Sequence, residues 1–213
     1  AKPFVVSMEP LPFFERINSW DEFIAHIATL EAHARGAPFE QAVRHYLRFD
    51  PAYRTKLRHV WLLREVPADV RAKLNLPHPD EGIDLIAETH AGEFWAVQAK
   101  YRSETDSSLT HRELSTFTSL AFAVCRGISF GLICTTTARI TDLLATAERV
   151  GDLTNETWTA LGPEFFASLR SSLVTAAPPP PPSPRLPLPH QERAIAAALV
   201  HFRDRSEARG KLL

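Results

Sequence analysis

The stretch EGIDLIAETHAGEFWAVQAKYR, residues 81–102, contains two short apolar runs separated by a break at residues 90–92. This pattern is typical of two antiparallel strands joined by a tight hairpin. Side chains alternate across a strand, so Gln98 and Lys100 are predicted to share one face. The antiparallel return then brings Asp84 within reach of that pair. A carboxylate, an amide oxygen and an ammonium group in this arrangement can hold a divalent cation and an attacking water.

The composition indicates one domain with a hydrophobic core and an appendage. The chain has 213 residues, 45% of them hydrophobic, and a formal net charge of −1, which excludes a polycation. Cys125 and Cys134 lie in apolar surroundings without metal-ligand spacing, which predicts buried free thiols in a reducing compartment. No apolar run has the length of a membrane span, and no signal-peptide pattern is present, so we expect a cytoplasmic protein without a membrane partner.

The segment just before the hairpin is locally basic. Between residues 44 and 73 it holds eight Arg or Lys residues and three acids. The basic residues are Arg44, Arg48, Arg54, Lys56, Arg58, Arg64, Arg71 and Lys73. Such a segment is suited to phosphate contacts, and it is equally consistent with a solvated surface.

Two helices are predicted ahead of the basic segment. A capping box of Ser19 with Glu22 begins the first helix, and Gly36 supplies its stop. The second helix begins at Pro38, and Glu40 lies in its first turn, where an ion pair with the arginine four residues on is the simplest interpretation. Its buried stripe is predicted at Phe39, Val43, Tyr46 and Leu47.

The remaining elements indicate a mixed α/β sandwich, because helices and strands alternate on both sides of the hairpin. A strand is predicted through about residue 63, followed by a short helix or turn. Beyond the hairpin the pattern predicts a helix at 109–126, a buried strand at 128–138, a helix at 140–151 and a last helix at 162–174.

The composition changes abruptly after residue 175. We expect one domain at 1–175, a proline-rich linker at 176–189 and the start of a further domain at 190–213. The linker is expected to be a stiff polyproline spacer, and a proline-rich ligand for a partner domain is the alternative. The helix after it has an apolar stripe at Ile195, Leu199 and Phe202 with nothing obvious to pack on.

Three short motifs resemble the Mrr-like branch of the PD-(D/E)xK nuclease superfamily. They are GxxFE ending at Glu40, the GID motif at residues 82–84 and the QxK motif at residues 98–100. The resemblance covers roughly residues 36 to 140 and includes the order of elements around the motifs. It implies a restriction-endonuclease-like mixed sheet flanked by helices.

The resemblance implies an Mg²⁺-dependent endonuclease acting on double-stranded DNA, with Mn²⁺ able to substitute. Asp84 is then the principal metal ligand, assisted by the main-chain carbonyl of Ala99. Gln98 replaces the more usual acid and binds through its amide oxygen, while Glu40 compensates from the facing helix. Lys100 positions or helps to deprotonate the attacking water and stabilises charge on the phosphate.

Each of these residues also has an ordinary structural interpretation. Asp84 suits a turn, Gln98 an edge strand, Lys100 a strand end and Glu40 a helix start, so a catalytically silent nuclease fold that binds DNA or docks a partner is the alternative. Tyr101, Arg102 and Arg112 are candidate DNA contacts by proximity. A free-standing modification-dependent nuclease is disfavoured because no winged-helix reader is seen.

The carboxy-terminal segment carries a second resemblance. LPLPHQERAIAAALVHF followed by RGKLL is similar to the beginning of DEAD/DEAH-type helicase domains, which implies that Gln191 contacts the adenine of ATP. The sequence contains no GxxxxGK[ST] phosphate loop. Taken together, the chain resembles the amino-terminal part of single-polypeptide type ISP restriction enzymes. This implies helicase (translocase), methyltransferase and target-recognition domains as partners within the same polypeptide.

Overall fold

The computed structural model describes residues 13–77, 82–175 and 189–204. The chain forms two compact units, residues 1–179 and 180–213. Of the sequence predictions, most of the proline-rich linker at 176–189 and the chain end lie outside the described residues. Among the described helices, none is long and apolar enough to cross a bilayer.

A five-stranded mixed sheet is the centre of the first unit. The strand order is β1-β2-β3-β5-β7, with β1, β2 and β3 antiparallel in turn and β5 and β7 parallel to β3. Strands β4 and β6 form a separate parallel pair. The strands are β1 Leu57–Leu62, β2 Leu85–Thr89, β3 Phe94–Lys100, β4 Ser108–Leu109, β5 Ile128–Thr135, β6 Arg139–Ile140 and β7 Val150–Leu153.

Helices cover both faces of the sheet, which confirms the predicted α/β fold class. The helices of this unit are α1 Trp20–Ala28, α2 Gly36–Phe49, α3 Pro51–Arg54, α4 Ala68–Leu74, α5 His111–Ser119, α6 Asp142–Ala145, α7 Asn155–Thr159 and α8 Pro163–Thr175; α9 Pro189–Asp204 belongs to the second unit. Short 3-10 turns lie at Ala32–Ala34 and Leu63–Glu65, and a π-helical turn at Leu120–Val124 follows α5.

Each face of the sheet packs against its own hydrophobic cluster. On the face that we call the α2 face, Val97 and Ala99 of β3 belong to the cluster that contains Phe39 of α2. On the opposite face, called the α5 face, Ala96 belongs to the cluster that contains Phe117 of α5. This alternation along β3 is what a strand buried on both sides requires.

The predicted hairpin is confirmed. Strands β2 and β3 pair antiparallel with Leu85 opposite Val97, and the turn between them contains Gly92 at φ +81°. A positive φ favours glycine, so the residue type agrees with the turn. The cysteines Cys125 and Cys134 are buried free thiols, as predicted.

The first helices differ from the prediction in their boundaries. Ser19 caps α1, and its hydroxyl accepts from the Glu22 N–H, as expected. The helix nevertheless ends at Ala28, and Gly36 is the first residue of α2, not a stop. Tyr46 is only partly buried, with its ring centroid 5.3 Å from that of Trp158.

The prediction of one helix over residues 140–151 is wrong. Only α6 is helical there, and the chain then enters β7 at Val150. A Cβ added at Gly151 would lie 2.8 Å from Cζ of Phe130, so β7 approaches β5 closely at a position that needs glycine. The predicted helix at 109–126 is shorter than expected, because Leu109 lies in β4 and α5 ends at Ser119, before the π-helical turn.

Acid is expected to destabilise the fold through His45. The side chain of His45 is 3% exposed, and burial, with the charges of Arg48 and Arg44, lowers its pKa to about 3. Since the unfolded pKa is near 6.5, the unfolded chain binds the extra proton, and stability is lost as the pH falls below that value. Between pH 7 and pH 5 the expected loss is about 2 kcal/mol.

Urea denaturation at both pH values measures this effect. His45→Leu should flatten the pH dependence because it removes the imidazole. Ser172 Oγ, the partner of His45 Nδ1, keeps its bond to the Leu169 carbonyl in this variant. The exposed His33 provides the control, and His33→Gln should leave the dependence unchanged. Equal pH dependence in wild type and His45→Leu would contradict this role of His45.

Candidate functional site

The sheet topology brings the predicted site residues to one edge. Strands β1, β3 and β5 end there, and β2 begins there, because β2 is antiparallel to β1 and β3. Asp84 lies one residue before β2, while Gln98 and Lys100 lie within the last three residues of β3. The edge therefore contains all three groups that the hairpin pattern singled out.

Hydrogen bonds fix Asp84 beside the end of β3. Its N–H donates to the Val97 carbonyl (2.9 Å), and its own carbonyl accepts from the Leu63 N–H (2.8 Å). The carboxylate Oδ2 accepts from the Ala99 N–H at 2.6 Å. A carboxylate held by a main-chain donor keeps a defined orientation, so Asp84 is positioned at the sheet edge and not mobile on a turn.

Gln98 has a buried amide oxygen without a partner. The residue is 5% exposed, and its Oε1 has no hydrogen-bond partner among the described residues. An orphaned buried acceptor costs free energy, and native structures retain one where an ion, water or ligand satisfies it. An amide oxygen on the same strand end as the residue that binds the Asp84 carboxylate fits the ligand preference of Mg²⁺.

The α5 face is the side to which Gln98 points. Its neighbours Val97 and Ala99 belong to the α2 face, so alternation directs Gln98 and Lys100 to the other side. Consistently, a Cβ added at Gly82 would lie 3.7 Å from Gln98 Nε2 and 3.6 Å from the Phe117 N of α5. Gly82 has φ +116°, a conformation that strains other residue types.

Lys100 is partly buried at the end of β3. Its carbonyl accepts from the hydroxyl of Thr135 on the neighbouring strand β5 (3.1 Å). The next residue pair repeats this arrangement, because Thr136 Oγ1 accepts from the Arg102 N–H and donates to the Arg102 carbonyl, both at 2.7 Å. These threonines therefore hold the chain at the point where Lys100 leaves the sheet.

Sequence reasoning missed the contribution of the threonines. Thr135, Thr136 and Thr137 are all fully buried, which is unusual for a polar run. The signal was present as three consecutive threonines at the end of a β-branched buried strand.

Glu40 lies on α2, on the opposite face of the sheet from Gln98. Its helix α2 packs on the α2 face, and its Oε2 lies 3.8 Å from Nη1 of Arg64. Arg64 follows Leu63, the residue that donates to the Asp84 carbonyl. Arg44, the partner predicted for Glu40, contacts Glu65 at 2.5 Å.

The candidate DNA contacts differ in their exposure. Arg112 is exposed on α5, and the side chain of Arg102 is 41% exposed. Arg102 contacts Glu113 at 2.5 Å, and this hydrogen bond, with those from Thr110, lowers the pKa of Glu113 to about 2. The hydroxyl oxygen of Tyr101 is buried, so it is not presented at the surface.

Within the described ranges, no three His, Cys, Asp or Glu residues come together as a metal site. Gln191 lies on α9 in the second unit, residues 180–213.

Comparisons with known proteins indicate the family and the fold of the chain. The sequence model of a Mrr-type family described as restriction endonuclease matches residues 48–159, just over half of the chain. A solved structure, the ATP-dependent Type ISP restriction-modification enzyme LlaBIII bound to DNA, superposes with a TM-score of 0.55 at 23% identity. The match covers 89% of this chain and 11% of that protein, so the chain spans a small part of its length. No curated protein matches at a significant level.

Proposed function

This chain belongs to the Mrr-type family of restriction endonucleases, and we propose that it hydrolyses phosphodiester bonds of double-stranded DNA in a reaction that depends on Mg²⁺ or Mn²⁺. It does so as the nuclease domain of a cytoplasmic, translocating restriction enzyme of the type ISP kind. Residues 1–175 are the nuclease domain, residues 176–189 a linker and residues 190–213 the start of a helicase domain, in which Gln191 contacts ATP.

One observation carries the proposal of a metal site. The unpartnered Oε1 of Gln98 and the Asp84 carboxylate, oriented by the Ala99 N–H, lie at the same sheet edge. In the proposed site, Asp84, the Gln98 amide oxygen and the Ala99 carbonyl hold the ion, and Glu40 assists from the other face. When bound, the ion supplies Lewis-acid stabilisation of the negative charge on the phosphate.

Lys100 provides the positive charge of the site. It points to the same face as Gln98, next to the proposed ligands. In the proposed reaction its ammonium group orients the water and stabilises charge as the water oxygen bonds to phosphorus and the bond to the leaving sugar oxygen breaks. Arg102 and Arg112 contact flanking phosphates, and Tyr101 is left out of this set because its hydroxyl oxygen is buried.

Plasmid cleavage and metal binding test the proposal together. Supercoiled plasmid is incubated with the chain in Mg²⁺, Mn²⁺ or EDTA, and Mn²⁺ binding is followed by calorimetry. We expect nicked or linear product only with the metal, and Mn²⁺ binding that requires Asp84. Absence of both cleavage and Asp84-dependent binding contradicts the proposal.

A silent nuclease fold that binds DNA or docks a partner is the second candidate. It is favoured by Gln98, which supplies a neutral amide where the wider nuclease superfamily more usually has an acid. DNA binding without metal-dependent cleavage would support this candidate.

Gln98→Met is expected to separate a metal ligand from a structural residue. Methionine has a similar length and no oxygen, and the lost Oε1 has no partner in the described structure. We therefore expect stability to change by less than about 1 kcal/mol while Mn²⁺ affinity falls about tenfold or more. Calorimetry and thermal melting measure the two effects. Unchanged Mn²⁺ affinity would remove Gln98 from the site.

A further inference from the structure

A basic groove runs along the outer strand of the sheet and does not include the candidate active-site residues. It has a volume of about 590 Å³ and lies beside β1, the first strand in the sheet order. Four arginines and two histidines line it, namely Arg44, Arg48, Arg54, Arg58, His59 and His90. Half of the eight basic residues of the segment 44–73 thus gather in one place, while Arg71, for example, donates to the carbonyls of Leu63 and Pro77.

A β-bulge presents two of these side chains to the groove. The register between β1 and β2 shifts between Leu57 and His59, and both Arg58 and His59 are exposed. In a regular strand, consecutive side chains would point to opposite faces. The His59 ring also stacks on Trp61, with centroids 5.0 Å apart, which holds the imidazole in place.

The groove remains strongly positive when the ion pair between its own lining residues is counted. Glu65 is the acid among the lining residues, and it is paired with Arg44. The Arg48 guanidinium lies over the Phe49 ring, 5.5 Å from its centroid. Arg54 and Arg58 add two more cations at the end nearer the hairpin turn. The surface is therefore complementary to a polyanion.

The groove leads to the candidate active site. Strand β1 runs along it and ends at Leu62, and the next residue, Leu63, donates to the Asp84 carbonyl. A six-residue strand spans about 20 Å, the length over which a DNA strand places about six phosphates. A duplex that follows the groove thus continues toward the edge that holds Asp84.

We propose that this groove binds the phosphate backbone of duplex DNA, independently of base sequence, on one side of the cleavage site. The proposal rests on the proposed function for the identity of the polyanion as DNA. The groove arginines are phosphate contacts here, and they are not part of the reacting centre.

Salt-dependent DNA binding tests the groove in the full chain. Fluorescence anisotropy of a labelled 20-base-pair duplex is measured in EDTA, which prevents cleavage, between 50 and 200 mM salt. For Arg54→Gln/Arg58→Gln we expect a salt slope smaller by about 2 and an affinity lower by about tenfold or more. Arg58→Glu serves as a second variant, expected to weaken binding by a similar factor.

The exposed residues Arg16 and Arg126 provide a control of equal charge. The variant Arg16→Gln/Arg126→Gln should keep the wild-type slope and affinity within about twofold. Wild-type slope and affinity in the groove variants, or an equal loss in the control, would overturn the proposal. Unchanged DNA binding in the groove variants is also the result expected if the groove takes an acidic peptide.

Cleavage by the wild type, measured beside DNA binding by the groove variants, separates this inference from the proposed function. If no protein cleaves DNA but the groove variants lose binding, the inference stands and the proposed nuclease activity fails. If the wild type cleaves DNA and the groove variants bind it normally, the proposed nuclease activity stands and the inference on the groove fails.

Discussion

Asp84→Asn is expected to lower metal-dependent DNA cleavage by about 10²-fold or more. The substitution removes the negative charge while an amide oxygen remains to accept the Ala99 N–H, which now meets the carboxylate at 2.6 Å. The local fold should therefore persist, and the loss should arise from metal binding. Initial rates of plasmid nicking in Mg²⁺ and Mn²⁺ measure the effect.

Lys100→Ala should produce a comparable loss for a different reason. Its carbonyl bond to Thr135 is a main-chain interaction and survives the substitution, so only the ammonium group is lost. Mn²⁺ affinity should remain near the wild-type value in Lys100→Ala and fall in Asp84→Asn. This difference in Mn²⁺ affinity would distinguish a metal ligand from a residue that acts on the phosphate or on the attacking water.

The exposed acid Glu93 provides the matched control. It lies at the hairpin turn, at the other end of the same strand pair. Glu93→Gln removes one negative charge from this hairpin without touching the proposed site, so it should cleave at the wild-type rate. Activity of Asp84→Asn equal to that of Glu93→Gln would show that the charge at Asp84 has no catalytic role.

The part of the site on the hairpin was predictable because it depends on local rules. Side-chain alternation and the antiparallel return are enough to place Asp84 near Gln98 and Lys100. The partner of Glu40 was not predictable in this way. The structure pairs it with Arg64, which is distant in sequence, and the helical spacing that suggested Arg44 gave no information on that contact.

The same distinction separates the predicted from the unpredicted parts of the fold. The hairpin at Gly92 and the cap at Ser19 are encoded within a few residues. Strand β7 was missed because its evidence is a long-range contact: Gly151 fits against Phe130 of the neighbouring strand. Sequence periodicity does not reveal a glycine that is required because a side chain of a neighbouring strand packs against it.

Trp158 of α7 is such a long-range determinant, and Trp158→Ala is expected to have the largest effect on stability. The side chain is fully buried, with ring centroids 5.3 Å from Phe39 and 6.1 Å from Trp20. Truncating a buried tryptophan leaves a cavity among α1, α2 and the sheet, so we expect a loss of about 4 kcal/mol. Thermal melting should show a decrease of about 10 °C.

Trp158→Phe isolates the polar part of this effect. The indole N–H donates to the Thr135 carbonyl at 2.7 Å, and the Thr135 hydroxyl in turn donates to the Lys100 carbonyl. Phenylalanine fills most of the cavity but leaves the buried Thr135 carbonyl without this donor, which should cost about 1 to 2 kcal/mol.

The partly buried Trp95 gives the control, since Trp95→Ala should lower stability by less than half as much as Trp158→Ala. A melting temperature of Trp158→Ala within about 2 °C of wild type would contradict the role of this residue. Because the Trp158–Thr135–Lys100 chain of hydrogen bonds connects the aromatic core to the end of β3, Trp158→Phe should also slow cleavage while Mn²⁺ affinity stays unchanged.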